Sequence, residues 1–310
     1  MKSAPSEHPE PSPFCASVIV PAYNEENRIG PLLPVLSEVS RELQYLVIVA
    51  CNGCTDRTVE MAQAMPGLKI LTIDLASKPH ALNEAEREAG DVFPRLYVDA
   101  DVRTDAHSLR LLVDALRVDT PLAVRPQESY LTSGAPWLAK AYYASRMSVP
   151  SLRLWLEQHI EGHHIYGTNA AGRSKFDVFP EEGQIMEDAF FDRMFDSEEK
   201  LAVLESRVEV PLPTSARSLI RGLTRIYQGN WELTAWLEMH RPDRVPVAQS
   251  PAASGRKISQ VFRYYATGGS TFESWRPSTV IVALASLGSR AIAKSRAKRL
   301  VRAGRQADWR

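Results

Sequence analysis

The sequence predicts an α/β fold in which a mostly parallel sheet is flanked by helices and followed by a C-terminal helical extension. Strand and helix signals alternate four times across residues 17–118. The strands are continuous apolar runs, the pattern of strands buried on both faces. Polar clusters follow each strand, where open sheets of this class bind their ligands.

The first strand is the apolar run 17–20, ended by Pro21, and a helix over 31–43 follows with Pro31 tolerated in its first turn. Residues 45–50 form a second buried strand, broken by Asn52-Gly53. Thr55 or Asp56 caps a helix through Met65, and 68–73 is the third strand. Ser77 caps a helix over 78–89, again with a proline, Pro79, in its first turn. Residues 95–98 form the fourth strand, and Thr104 caps a helix reaching Val118. Beyond it, helices are expected over 137–156, 186–195 and 215–238, a strand over 201–210, and a strand or loop over 164–172. The expected organisation is a disordered leader (1–13), a main domain (14–230) in two halves (14–125 and 126–230), and a helical extension (231–310) with a basic tail.

The chain has 310 residues and balances 37 Lys and Arg against 37 Asp and Glu, so nothing in its charge calls for nucleic acid. Cys15, Cys51 and Cys54 make no disulfide framework, and no apolar N-terminal signal segment is present. A cytoplasmic location is therefore expected. No stretch reaches the ~20 apolar residues that a membrane span needs. A basic run (Arg290, Lys294, Arg296, Lys298, Arg299, Arg302, Arg305) ends the chain. A solvated helix and a peripheral contact with an anionic membrane face both account for it.

The residues just past the strands are Tyr23-Asn24-Glu25, 52–56, 74–78 and 99–101. Asp99 and Asp101 directly follow the fourth strand, and residues two apart in extended chain point to one face. Two such carboxylates suit one hard cation, Mn²⁺ or Mg²⁺, which takes oxygen ligands. A strand-end turn with carboxylates capping the next helix is the plainer alternative.

The segments Val-Ile-Val-Pro-Ala-Tyr-Asn-Glu-Glu (18–26), Asn-Gly-Cys-Thr-Asp (52–56), Lys-Pro-His-Ala-Leu-Asn (78–83) and Asp-Ala-Asp (99–101) occur in order. Together they resemble the family 2 glycosyltransferases of GT-A fold, a Rossmann-like architecture, over about 17–229. The resemblance implies inverting transfer of a sugar from a nucleotide-diphosphate-sugar donor to a glycan, lipid-linked or small-molecule acceptor. It makes 14–125 the donor-binding half and 126–230 the acceptor side. It places Pro21, Tyr23, Glu25, Asn52, Asp56, Lys78 and Asp99 around the donor, with Mn²⁺ or Mg²⁺ on Asp99 and Asp101. Ile-Met-Glu-Asp (185–188) resembles the family's Glu-Asp motif, which assigns Asp188 as catalytic base. A hydroxyl nucleophile needs such a base, and a helix N-terminus favours its carboxylate.

Residues 167–173 resemble the family's small-residue segment, which implies contacts of Thr168 and Asn169 with donor sugar or acceptor. Arg217, Arg221 and Arg225 fall four apart on one helix face. Arg221 and Arg225 resemble arginines that hold a leaving diphosphate, and a solvated basic face explains them equally. Many members carry aspartate where this chain has Cys51, so UDP, GDP and dTDP donors all stay open. Cys51 and Cys54 lack the second ligand pair of a zinc site and read as small fillers of a turn. His163 and His164 are expected in a structural or acceptor-side role, and Trp137, Trp155, Trp231 and Trp236 in core packing. Two rival activities fit the same sheet and carboxylates: nucleotidyl transfer to a sugar phosphate, and non-catalytic binding of a nucleotide-sugar beside a membrane complex.

Overall fold

The computed structural model describes residues 12–148, 158–183, 185–245 and 277–304. The leader up to residue 11, the helix expected over 149–156 with Trp155, and Arg305 lie outside them. In chain order the elements are β1 (Ala16–Ala22), α1 (Leu33–Glu42), β2 (Tyr45–Asn52), α2 (Thr58–Gln63), β3 (Leu68–Ile73), α3 (Lys78–Ala89), β4 (Arg95–Val98), α4 (Ala106–Ala115) and β5 (Ala123–Leu131). They continue with α5 (Trp137–Ser148), β6 (Ile165–Thr168), α6 (Ala170–Arg173), α7 (Glu187–Met194), β7 (Lys200–Pro211), α8 (Ala216–His240) and α9 (Pro277–Arg302).

Seven strands form one sheet in the order β3-β2-β1-β4-β6-β5-β7. Strands β1 to β4 are parallel, as the buried apolar runs predict, and β7 runs parallel to β5. β6 is antiparallel to both its neighbours, so the sheet is mixed at its centre. Its reversal brings the chain before β6 back to the carboxyl end of β4, where the Asp99 N–H donates to the His164 carbonyl at 2.9 Å.

Period-two alternation sends the apolar residues of β1 and β2 to both faces of the sheet. Val18, Val20, Val47 and Val49 face α1 and α4, while Ile19, Ile48 and Ala50 face α3 and α7. A third cluster joins α5, α8 and α9 through Ala139, Tyr142, Leu219, Leu223 and Ala293. α8 runs unbroken across 230–231. α9 buries Ser289, Ala293 and Ala297 and leaves Lys294, Lys298, Arg299 and Arg302 exposed, with no acidic residue between 277 and 304. No described helix is long and apolar enough to cross a membrane.

Local chemistry moves several boundaries. Asp105, not Thr104, caps α4, its carboxylate accepting from the Ser108 N–H at 2.6 Å. The Thr104 hydroxyl instead reaches the Arg207 carbonyl at 2.9 Å. α2 starts at Thr58 because Asp56 folds back on the Thr58 N–H and hydroxyl. Arg95, the one charge in β4, is 1% exposed and paired with Glu86 at 2.6 Å. It also donates to the Ser17 hydroxyl, and Arg173 joins it on the same Glu86 oxygen. That network ties β4 to α3 and α6.

Gly167 and Gly172 are required by packing. A Cβ on Gly167 would lie 2.4 Å from Leu96 Cδ2 and 2.6 Å from the Arg95 carbonyl oxygen. One on Gly172 would meet Thr168 Oγ1 at 2.1 Å. Gly167→Ala is expected to destabilise the protein by about 1–3 kcal/mol, because β4 and β6 must part to admit a methyl group. Urea unfolding measures it, as a lower midpoint at unchanged slope.

Candidate active site

The functional candidates gather where β1, β2 and β4 end. Pro21 is buried inside β1, opposite Ala50, and Asn52 is buried at the end of β2. Tyr23 and Glu25 follow β1 and are half-buried. The two loops are laced together: the Glu25 N–H donates to Thr58 Oγ1 at 2.7 Å, the Glu26 N–H to Asp56 at 3.1 Å, and the Thr55 N–H to Asn24 at 2.7 Å. Burial opposes ionisation of Asp56, but hydrogen bonds from Thr58 and Glu26 hold its carboxyl below the usual range. Asn24 takes a positive φ of 53°, which lets the chain turn back after β1.

Cys51 lies beside Ala22 in the sheet, and Cys54 donates to the Ala22 carbonyl at 3.3 Å, so both line the turn that the sequence assigns them. Both are free thiols.

Asp99 and Asp101 sit directly beyond β4 and are partly exposed. Lys78, the first residue of α3, donates to Asp99 Oδ1 at 2.6 Å and also meets Glu187 of α7. Burial opposes the Lys78 charge, but Asp99 and Glu187 outweigh it and hold the ammonium well above its usual range. Arg28 lies 3.4 Å from Asp101 Oδ2 and 3.8 Å from Glu25. Burial, then the negative charge of Asp101, pushes Glu25 up to about 7, with Asp99 and Asp56 adding to it and Arg28 opposing. Carboxylates thus converge here in excess of their cations, a pattern typical of functional sites.

Among the described residues, Asp99 Oδ2 and Asp101 Oδ1 engage no other group. No cluster of three protein ligands is found among those residues. Two hard oxygen donors with crowded negative charge fit Mn²⁺ or Mg²⁺ that takes its other ligands from phosphate and water.

Asp188 occupies the first turn of α7 and is 8% exposed. Its Oδ2 accepts the Gly162 N–H at 2.7 Å, while Oδ1 has no hydrogen-bond partner among the described residues. Burial, reinforced by Glu187 and Glu161, raises its pKa to about 7, opposed by the Gly162 N–H and Lys78. Glu187 alongside it takes the salt bridge to Lys78, so a single lysine connects the Asp99 end of β4 to the Asp188 turn of α7.

Several participants carry no motif and escape sequence reasoning. Arg28 is one, and Glu128 in β5 is another. Glu128 accepts the His164 N–H at 2.8 Å and lies 3.0 Å from His164 Nδ1 and 3.4 Å from His163 Nδ1. Burial works against the Glu128 charge, yet the two histidines hold it well below the usual carboxylate range. Burial likewise works against a charged His164, and Glu128 outweighs it to bring the imidazole up to about 9. Both histidines therefore brace the chain entering β6, as their structural reading expects.

Thr168 and Asn169 are buried and internally bonded, Thr168 to the Leu122 carbonyl and Asn169 to Val118, Thr120 and the Gly172 N–H. They shape the β6–α6 turn and are not free to contact a sugar. Arg221 and Arg225 lie half-buried on α8. No contact between described residues joins them to Asp99 or Asp101. Trp137 is 62% exposed and is no core residue, whereas Trp236 packs on Phe190.

Residues 17–178 match the family described as Glycosyl transferase family 2. A dolichol-phosphate mannosyltransferase from Pyrococcus furiosus is 25% identical over 151 residues, which are 44% of this chain and 42% of that protein. The match thus spans less than half the length of this relative. A mannosyltransferase from Pyrobaculum calidifontis, solved with GDP-Man and Mn²⁺, superposes with a TM-score of 0.54 at 16% identity, covering 89% of this chain and 87% of that one. Glucosyl-3-phosphoglycerate synthase from Mycobacterium tuberculosis, solved with Mn²⁺, UDP and glucosyl-3-phosphoglycerate, superposes with a TM-score of 0.51 at 19% identity, covering 76% and 82%. Both likenesses establish the GT-A fold.

Proposed function

We propose, for a chain that belongs to glycosyl transferase family 2, an inverting, metal-assisted transfer of a sugar from a nucleotide-diphosphate donor to an acceptor hydroxyl. One observation carries the reading. A buried carboxylate with one unpartnered oxygen, Asp188, stands one residue from the glutamate that shares Lys78 with Asp99. Base and donor carboxylates are thereby held in a fixed relation.

The nucleoside half of the donor is assigned to the laced loops after β1 and β2, with Tyr23, Glu25 and Asn52 as its proposed contacts and Asp56 fixing the spacing of the loops. Asp99 and Asp101 would hold Mn²⁺ or Mg²⁺, and the ion when bound neutralises charge gathering on the departing diphosphate. Lys78 and Arg28 balance the carboxylates and orient them. Arg28, beside Asp101, joins Arg221 and Arg225 as a cation proposed to meet the diphosphate. The free Oδ1 of Asp188 takes the acceptor hydroxyl's proton as its oxygen attacks the anomeric carbon from the face opposite the leaving group. A carboxyl with pKa about 7 is suited to this, because it is substantially ionised at neutral pH yet a stronger base than an ordinary aspartate.

Product analysis tests the reaction class. Incubation with nucleotide-sugars, Mn²⁺ and a mixed panel of hydroxyl acceptors is expected to release nucleoside diphosphate. Pyrophosphate from a nucleoside triphosphate and a sugar phosphate would instead establish nucleotidyl transfer. Donor binding without release of either would make the chain a non-catalytic binder.

A further inference from the structure

Asp192 lies one helical turn beyond Asp188 on α7, so the two carboxylates share one face of the helix. It is completely buried. Its Oδ1 accepts the Ile160 N–H at 2.7 Å and meets Lys200 of β7 at 2.9 Å. Its Oδ2 lies 2.8 Å from both His159 Nδ1 and Arg193 Nη1. Arg193 extends the grip through its other nitrogen, which donates to Glu161 at 2.9 Å, and Asn230 of α8 holds the second Glu161 oxygen at 3.2 Å. The turn closes with the His163 N–H on the Ile160 carbonyl, and Gly162 takes a φ of +83°. In that conformation its N–H points at Asp188 Oδ2. Residues 159–162 are therefore clamped at both ends by carboxylates of one helix face. Asp192 holds the entry to the turn, and Asp188 receives its last N–H.

We infer that Asp192 is a positioning residue for Asp188: by fixing the turn 159–162 it aims the Gly162 N–H, and so sets which Asp188 oxygen is free and how readily that carboxyl ionises. The consequence for turnover rests on Asp188 being the base; the clamp itself does not. Among the described residues, Glu187 beside it on α7, Glu161 in the turn, Lys78 from α3 and Tyr166 from β6 face Asp188. Glu187 and Glu161 disfavour the carboxylate, while Lys78 and the Gly162 N–H favour it. Releasing the turn withdraws the N–H, so the Asp188 pKa rises and less base is present at neutral pH.

The test needs no substrate for its first reading. The unfolding free energy of the full chain, minus that of the same chain carrying Asp188→Asn, is followed from pH 5 to 9 and reports the folded pKa of Asp188 by linkage. In the wild-type background the inflection is expected near 7. In Asp192→Asn and, independently, Gly162→Ala backgrounds it is expected about one pH unit higher. Gly162→Ala covers the case in which loss of the buried Asp192 charge prevents folding. Ser206→Ala, which removes a buried hydrogen bond to the Ser108 carbonyl, should lower stability and leave the inflection in place. The second reading is nucleoside diphosphate release from GDP-mannose or UDP-glucose. The low-pH limb of kcat should move upward with the inflection, while binding of GDP or UDP with Mn²⁺ stays within twofold. An unmoved inflection in both variants overturns the inference. A moved inflection, with transfer retained by Asp188→Asn, keeps the clamp and refutes the base assignment instead.

Discussion

Asp188→Asn is expected to lower transfer by 10²–10⁴-fold while leaving donor affinity nearly unchanged, the loss appropriate to a positioned general base. The amide keeps the shape of the side chain and its acceptor for the Gly162 N–H, but it cannot take a proton. The same substitution should stabilise the protein at alkaline pH. A carboxyl of pKa about 7 in the fold, against an ordinary value of 3.8, binds protons more tightly folded than unfolded. Its contribution therefore favours the fold at low pH and is lost as pH rises between about 4 and 7. Above 7 the wild type holds a buried carboxylate beside Glu187 and Glu161, and the asparagine variant does not. A higher Tm for Asp188→Asn at pH 8, together with absent transfer, is the expected pair of results. Retained transfer, or donor binding lost from a folded variant, contradicts the base assignment.

Asp101→Ala is expected to lower kcat/KM on the order of 10²–10³-fold, because it removes one of two protein oxygens proposed for the cation. It also strips Arg28 of its partner on that side and leaves Glu25 with less negative charge around it. Two consequences separate a metal ligand from a mere ion pair. Chelation of divalent cations from the wild type should reproduce the loss, and added Mn²⁺ should restore the wild type but not the variant. Calorimetry of GDP and UDP binding with and without Mn²⁺ measures the same dependence without turnover. Identical Mn²⁺ dependence in wild type and variant would remove Asp101 from the metal site.

β1, β2 and β4 are legible in the sequence because each is buried on both faces and ends at a polar cluster, whereas β3, at the sheet edge with Lys69 and Thr72 exposed, shows through its apolar Leu68, Ile70, Leu71 and Ile73. β5 is not legible, although it supplies Glu128. Its run of wholly buried residues stops at Pro126, the register against β7 shifts there, and the polar residues Gln127, Glu128 and Ser129 follow. Asp188 is legible through a motif, whereas Asp192 is not. Helical periodicity assigns polar residues of α7 to solvent, yet Glu187, Asp188 and Asp192 are all buried. The ion pair between Arg28 and Asp101 spans 73 residues of sequence, and only the sheet brings the two together. Local pattern thus singles out candidate carboxylates, and the partners that surround them emerge only in three dimensions.

The most direct test of the account is thermal stabilisation of the full chain by UDP, GDP, dTDP, CMP and ADP sugars, each with and without Mn²⁺. A ligand that binds only the folded state and is present at a hundredfold over its Kd adds about 2.7 kcal/mol, a rise of roughly 5 °C for a chain of this size. Such a rise is expected with one nucleotide class, dependent on Mn²⁺ and lost in Asp101→Ala. No rise with any nucleotide-sugar would contradict a donor site beyond β1, β2 and β4.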